Sequence, residues 1–281
     1  MNREKMRAAG AQNGAAALGA LPAAVFFPLL SEQQRARLEH LEREPQSVLI
    51  VAFPYWAGNA PGNIALYARG EDYVRANRRR LTALGQTLAL PWFYAAGNAW
   101  PLPAVRAAAL AGVGRQGLHG LLIVPPYGSY VTLGALFTDA VLPETSAAAG
   151  ACTGCRACVR ACPTGALTVR EGRGILTRER CLSHITQKKD PLSPEEEALV
   201  RGAARATGCD LCQLACPENR DAQRTALPEF TQDLLPQLSI RQSETRDLSG
   251  RAYGGSRLAP LLRNLRLREE NSPPLENRPE P

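Results

Sequence analysis

The chain has 281 residues, 45% hydrophobic and 21% charged, with 33 Lys and Arg against 26 Asp and Glu. That composition excludes a disordered chain and leaves room for one large domain or two modest ones. The net charge of +7 is compatible with an anionic partner such as nucleic acid, or with a basic but inert surface.

The uncharged run Gly14 to Leu30 follows Arg3, Lys5 and Arg7 and so imitates a secretory signal. Pro22 and Pro28 interrupt it, and it falls short of the ~20 apolar residues a spanning helix needs. It reads as a buried strand and turn, and the chain is expected to be soluble and cytoplasmic, without membrane contact. Ser47 to Phe53 (SVLIVAF), closed by Pro54, predicts a buried strand, and so does Leu121 to Val124, closed by Pro125 and Pro126. Between them, Tyr67 to Leu90 carries Arg, Ala and Leu at helical spacing. This alternation predicts an α/β or α+β unit over residues 1–144. A short linker, Thr145 to Gly150 (TSAAAG), leads into a cysteine-rich unit over 145–220. A helical segment over 221–268 and a disordered tail over 269–281 complete the expected order.

All eight cysteines lie between Cys152 and Cys216, and the first 151 residues contain none. Cys152 to Pro163 (CTGCRACVRACP) has the C-x2-C-x2-C-x3-C-P spacing of two-cluster bacterial ferredoxins, in which the fourth cysteine serves the other cluster. Three thiolates two residues apart can wrap one face of a cubane while the fourth projects toward its neighbour. Cys209 to Pro217 (CDLCQLACP) lacks one close cysteine, and Cys181 is the remaining candidate. By ferredoxin logic Cys152, Cys155, Cys158 and Cys216 hold one [4Fe-4S] cluster, and Cys162, Cys181, Cys209 and Cys212 hold the second. Two four-thiolate zinc sites and disulfides are the alternatives, but zinc sites seldom place four cysteines in this run before a proline. Two clusters in one small unit form a short electron wire, and a wire needs a terminus.

With these cysteines in view, the chain resembles the epoxyqueuosine reductase family of cobalamin-dependent iron-sulfur enzymes. Tyr67 to Tyr73 (YARGEDY), Gly112 to Gly117 (GVGRQG), Pro126 to Tyr130 (PYGSY), Cys181 to Thr186 (CLSHIT) and Gly254 to Asn264 carry the resemblance alongside the cysteine motifs, over roughly residues 45–268. It stops before the helical repeats found at the carboxyl end of many members. The resemblance implies an α+β architecture, an N-terminal corrinoid-binding-like α/β domain followed by a two-cluster ferredoxin-like domain. It implies cobalamin as a further cofactor, with Gly112, Gly114, Gly117, Gly128 and Ser129 beside it. It implies a ferredoxin or flavodoxin as electron donor and tRNA as a candidate partner; the oligomeric state stays open.

Departures accompany the matches. Counting back from Gly112 puts Asn98 where the family has an aspartate taken as proton donor, and an amide holds no usable acidic proton. Ala104 stands for a glutamate, Arg115 for a tryptophan, Leu118 for a lysine and Val74 for a histidine. These five changes suggest an altered substrate or a lost activity. His119 is a candidate proton donor near pH 7, with a packed histidine as the alternative. His184 is a candidate hydrogen-bond donor to a cluster sulfur or a plain loop residue, and His40 reads as solvated. Arg75, Arg78, Arg79 and Arg80 could meet tRNA phosphates or form a solvated helix face. The expected function is an epoxyqueuosine reductase-like oxidoreductase that passes electrons through two clusters to a corrinoid. The alternative is a non-enzymatic electron carrier or corrinoid-reactivating partner.

Overall fold

The computed structural model describes residues 1–36, 38–98, 103–146, 150 and 152–270. Helix α1 (Arg3–Gln12) leads to β1 (Ala17–Pro22), the short helices α2 (Ala23–Phe26) and α3 (Glu32–Ala36), and β2 (Ser47–Pro54). Then come α4 (Tyr73–Thr87), β3 (Phe93–Ala96), α5 (Ala104–Leu110), the two-residue strands β4 (Arg115–Gln116) and β5 (Leu122–Ile123), and β6 (Val131–Thr138).

Strand β2 is buried along its whole length because the main sheet is covered on both faces. Side chains alternate across it. Leu49, Val51 and Phe53 meet Leu81 and Leu84 of α4 and Met6 of α1, while Val48, Ile50 and Ala52 meet Phe26, Ala107, Ala108 and Phe137. Burying one such leucine or phenylalanine contributes about 1.5–3 kcal/mol. Asp72 starts α4 by accepting the Val74 N–H at 2.9 Å, so the YARGEDY segment serves as the helix entry.

The main sheet has the order β1-β2-β6-β3 with every neighbour antiparallel. The fold is mixed α and β, and the α/β reading of residues 1–144, with its implied parallel crossovers, is corrected to α+β. Helix-strand alternation carries no information on whether a crossover returns the chain parallel or antiparallel. The central strand β6 has only a weak signature in the sequence, because its glycine and threonines dilute the apolar pattern. Gly134 is there to admit Leu81, whose Cδ1 would lie 2.7 Å from an added Cβ.

The cysteine-rich part consists of α6 (Ala157–Arg160), a hairpin of β7 (Leu167–Arg170) and β8 (Arg173–Leu176), α7 (Leu182–Thr186), α8 (Pro194–Gly202) and α9 (Leu211–Leu214). Helices α10 (Pro228–Thr231), α11 (Ile240–Thr245) and α12 (Leu258–Glu270) follow, and the rest of the expected tail lies outside the described residues. Asn264 of α12 is fully buried and donates through Nδ2 to the Thr186 carbonyl at 2.7 Å and the Ala206 carbonyl at 2.8 Å. Asn264 thus pins α12 to the turns on either side of α8. No described helix is long and apolar enough to cross a membrane.

Candidate functional site

The cysteine loops are shaped by left-handed residues: Gly154 and Arg156 at φ +70° and +58° bend the first motif, and Gly208 at φ +73° opens the second. Gly208 also has to be small, since a Cβ there would meet Ala65 Cβ at 2.5 Å and Tyr67 Cε1 at 3.0 Å. This presses the second cysteine motif against the YARGEDY tyrosine. A parallel bridge between Ile64 and Thr207 fixes the same junction.

The eight thiols are free of disulfides and fall into two neighbourhoods. Burial raises the Cys216 thiol pKa, and the charges of Cys152, Cys158 and Cys155 raise it further. Burial pushes Cys212 up to about 12 and Cys209 up to about 11, with Cys181 and Cys162 adding to both. The first set is therefore Cys152, Cys155, Cys158 and Cys216, and the second is Cys162, Cys181, Cys209 and Cys212. They adjoin, because the charge of Cys158 also reaches Cys212. Thiols this reluctant to ionise become thiolates only when a metal replaces the proton. Among the described residues no three His, Cys, Asp or Glu side chains converge closely enough for a single ion. Cys162 differs from its neighbours: burial raises its pKa, but the Thr164 hydroxyl and the N–H groups of Leu167, Thr164 and Ala166 outweigh burial and lower it. Hydrogen bonds of this kind would also stabilise a cluster sulfur ligand.

All four cysteines of the second set wall a cavity of about 800 Å³, whereas none of the first set reaches it. The opposite walls are Tyr55, Tyr67 and Tyr73, the β6 residues Val131 to Leu133, the start of α5, and Gln116, His119, Leu121 and Leu122. Most of this lining is apolar, and no described lining residue is Asp or Glu. Tyr55 donates to Gln213 Oε1 at 3.1 Å and Gln213 Nε2 donates to the Ser129 carbonyl at 2.8 Å, which ties the sheet to the second cysteine motif.

His119 lines the cavity at 4% exposure. Its Nδ1 accepts the Leu121 N–H at 3.1 Å, so the neutral ring carries its proton on Nε2, which is buried and has no partner among the described residues. Burial lowers its pKa to about 4, which makes it a hydrogen-bond donor at neutral pH rather than a source of acidic protons.

Asn98 and Ala104 also line the cavity, as does Ser129. The four glycines expected beside a cofactor do not; each answers to the protein's own packing. Gly112 turns at φ +72° after α5, and Gly114 lies against the Ile123 carbonyl, which a Cβ would meet at 2.5 Å. Gly117 faces the His119 ring, 2.5 Å from an added Cβ, and Gly128 makes room for Asn219 Oδ1, which accepts the Ser129 N–H at 2.7 Å. Three of the five departures also fall outside the lining. Arg115 is ion-paired with Glu218, Leu118 is packed against Cys158 and Leu167, and Val74 accepts no place in the wall. His184 Nδ1 accepts from Arg178 Nε at 3.3 Å, and the His40 ring packs edge-on to Tyr94. The clamp residues Gln213 and Asn219 carried no signal in the sequence, since a buried amide in a polar stretch looks like any loop residue.

Two family descriptions match the chain: "4Fe-4S double cluster binding domain" over residues 151–219, and "Epoxyqueuosine reductase QueG, DUF1730" over residues 35–93. The epoxyqueuosine reductase of Listeria monocytogenes is 32% identical over 238 residues, covering 79% of this chain and 60% of the relative. That of Escherichia coli is 33% identical over 211 residues, covering 70% and 55%. The chain thus spans about six tenths of the length of the curated relatives it matches. A crystal structure of selenomethionine-labelled epoxyqueuosine reductase superposes with a TM-score of 0.76 at 24% identity, covering 96% of this chain and 81% of that one. A crystal structure of epoxyqueuosine reductase with an epoxyqueuosine-modified tRNA stem loop gives 0.76 at 22% identity, with the same coverage. The likeness of fold spans nearly all of the chain, and the cysteine region is a double [4Fe-4S] cluster binding domain. Along most of its length this chain is similar in sequence to epoxyqueuosine reductases.

Proposed function

We propose that this chain is an iron-sulfur oxidoreductase that delivers electrons to a corrinoid in the 800 Å³ cavity and there reduces an electrophilic substrate, epoxyqueuosine in tRNA being the first candidate. The observation that carries this reading is the wall formed by the entire second cysteine set. In it, Cys152, Cys155, Cys158 and Cys216 hold the outer [4Fe-4S] cluster, and Cys162, Cys181, Cys209 and Cys212 hold the inner one at the cavity. A carrier that only relays electrons would have no use for so large an apolar chamber beside its inner cluster.

The residues present fit a corrinoid. The walls are apolar with a few polar groups, among them His119, whose buried Nε2–H has no partner among the described residues. Ser129 and Gln116 would add polar contacts, and the tyrosines would exclude water. A bound corrinoid would supply a strongly reducing cobalt centre able to drive cleavage of a carbon–oxygen bond. Reducing an epoxide to an alkene consumes two electrons and two protons and releases water. The clusters held by the two cysteine sets would deliver the electrons singly. Asn98 can hold the substrate oxygen by hydrogen bonding but has no acidic proton to give.

The solved relative with a tRNA stem loop supports tRNA as the partner. Among the described residues the exposed Arg75 and Arg78 of α4 make no ion pair within 4 Å, though Arg75 lies close enough to Asp247 to lower its pKa, whereas Arg79 and Arg80 are engaged by Glu71 and Glu229. Arg75 and Arg78 are therefore the arginines of this run best placed to meet phosphates. Single-turnover conversion of epoxyqueuosine-containing tRNA by anaerobic, cobalamin-supplied protein tests the reading. Product formation dependent on cobalamin supports it, and conversion without cobalamin contradicts it.

A further inference from the structure

Electrons must enter the wire from outside, and the protein's surface is not uniform around it. Of the eight cysteines, Cys155 alone is exposed, and it belongs to the set that does not reach the cavity. The 30 residues from 151 to 180 carry six arginines against two glutamates, with no lysine or aspartate. All six, Arg156, Arg160, Arg170, Arg173, Arg178 and Arg180, are exposed. Elsewhere the fold pairs many of its arginines with acids, as at Arg43, Arg80, Arg115, Arg205 and Arg251. Among the described residues none of these six is ion-paired.

Their placement follows the first cysteine set. Arg156 is the next residue after Cys155 and stands in a left-handed turn at φ +58°, while Arg160 Nη1 donates to the Cys155 carbonyl at 3.0 Å. Arg170 and Arg173 flank the turn of the β7–β8 hairpin, and β7 packs on α6. Leu167 at the base of that hairpin packs with Cys158.

We infer that this surface is the docking face for an acidic one-electron carrier protein, which delivers electrons to the cysteine set at Cys155. The inference rests on the proposed function, since it names that reaction's electron source. Positive charge without internal partners attracts a negative surface and speeds encounter. Its centre on the exposed cysteine of the outer set is where a carrier has to approach. In each transfer one electron leaves the carrier and one enters the oxidised cluster; no bond is made and no proton moves.

The test is stopped-flow reduction of the anaerobic holoprotein's clusters, followed by bleaching of their absorbance. Two donors are compared: a pre-reduced acidic [2Fe-2S] ferredoxin, and photoreduced 5-deazariboflavin, which is small and uncharged. The variant is the triple charge reversal Arg156→Glu, Arg170→Glu, Arg173→Glu, three side chains that make no hydrogen bond or ion pair among the described residues. The expected result is a second-order rate with ferredoxin about 10–10² lower at low salt, with the deazaflavin rate unchanged. The wild-type ferredoxin rate should also fall as ionic strength rises. A wild-type rate indifferent to salt, or a variant that keeps the ferredoxin rate, overturns the assignment. So does equal slowing with both donors, which would trace the loss to the cluster, or a variant that loses only tRNA affinity, which would give the surface to RNA. Because cluster reduction is read directly, a failure of corrinoid binding leaves this test intact.

Discussion

The Arg115 guanidinium is ion-paired with the Glu218 carboxylate, two residues after the cluster-motif cysteine Cys216, each side chain 21% exposed. Arg115 begins the short strand β4 beside the glycine-rich turn, so the pair ties that turn to the second cysteine motif. A residue that departs from the family pattern is thus compensated by a contact of its own. Arg115→Ala and Glu218→Ala, combined in a double-mutant cycle of urea unfolding, should give a coupling of about 0.5–1 kcal/mol. A coupling of zero would mean the pair is ornamental.

Cys181→Ala should remove the inner cluster and leave the outer one. Iron in anaerobically prepared protein should drop from about eight per chain toward four, the content of one [4Fe-4S] cluster. Electron paramagnetic resonance of the reduced variant should show a single uncoupled centre. Loss of all iron would show that the two sets do not assemble independently.

Asn98→Asp should raise turnover of epoxyqueuosine in tRNA. A placed general acid contributes about 10²–10⁴ in rate, and a carboxyl group in this mostly apolar cavity would be held partly protonated near neutral pH. Ala104 also faces the cavity and departs from the family, so the gain should fall toward the lower end. Equal single-turnover rates for the wild type and the variant would mean that the proton comes from elsewhere.

His119 predicts a specific acid sensitivity. Its folded pKa of about 4 lies below the unfolded value of 6.5, so the unfolded chain binds the proton first. Stability therefore falls with pH between about 6.5 and 4, by about 3 kcal/mol at most, and the contribution is fully present above 6.5. His119→Gln should flatten this dependence. The measurement is the urea midpoint of wild type and variant at several pH values in that window. Cluster loss in acid affects both proteins, so the difference between the two profiles isolates the imidazole, and parallel profiles would contradict its burial as a neutral ring.

Much of the site's inner wall was legible in the sequence because cysteine spacing maps directly onto cluster geometry. Cys162, Cys181, Cys209 and Cys212 all line one cavity, and Ser47 to Phe53 lies within β2. The cavity's other walls were less legible. Gly117 in sequence looks like a place for a ligand to approach; in the fold it is the seat of the His119 ring. Leu118 looks like a lost pocket lysine and proves to be a core residue beside Cys158. Local pattern identifies which residues need space, whereas only tertiary packing decides what fills it.

The claim on which the account stands is that the chamber bounded by Cys162, Cys181, Cys209 and Cys212 holds a corrinoid. The most direct measurement is an anaerobic titration of the cluster-loaded protein with cobalamin, followed by its visible spectrum, in the wild type and in Leu133→Trp, which fills the chamber from β6. Saturation at one cobalamin per chain with the spectral shift of the base-off form, abolished by Leu133→Trp while iron content is kept, is the predicted result. A cobalamin spectrum unchanged by saturating wild-type protein would contradict it.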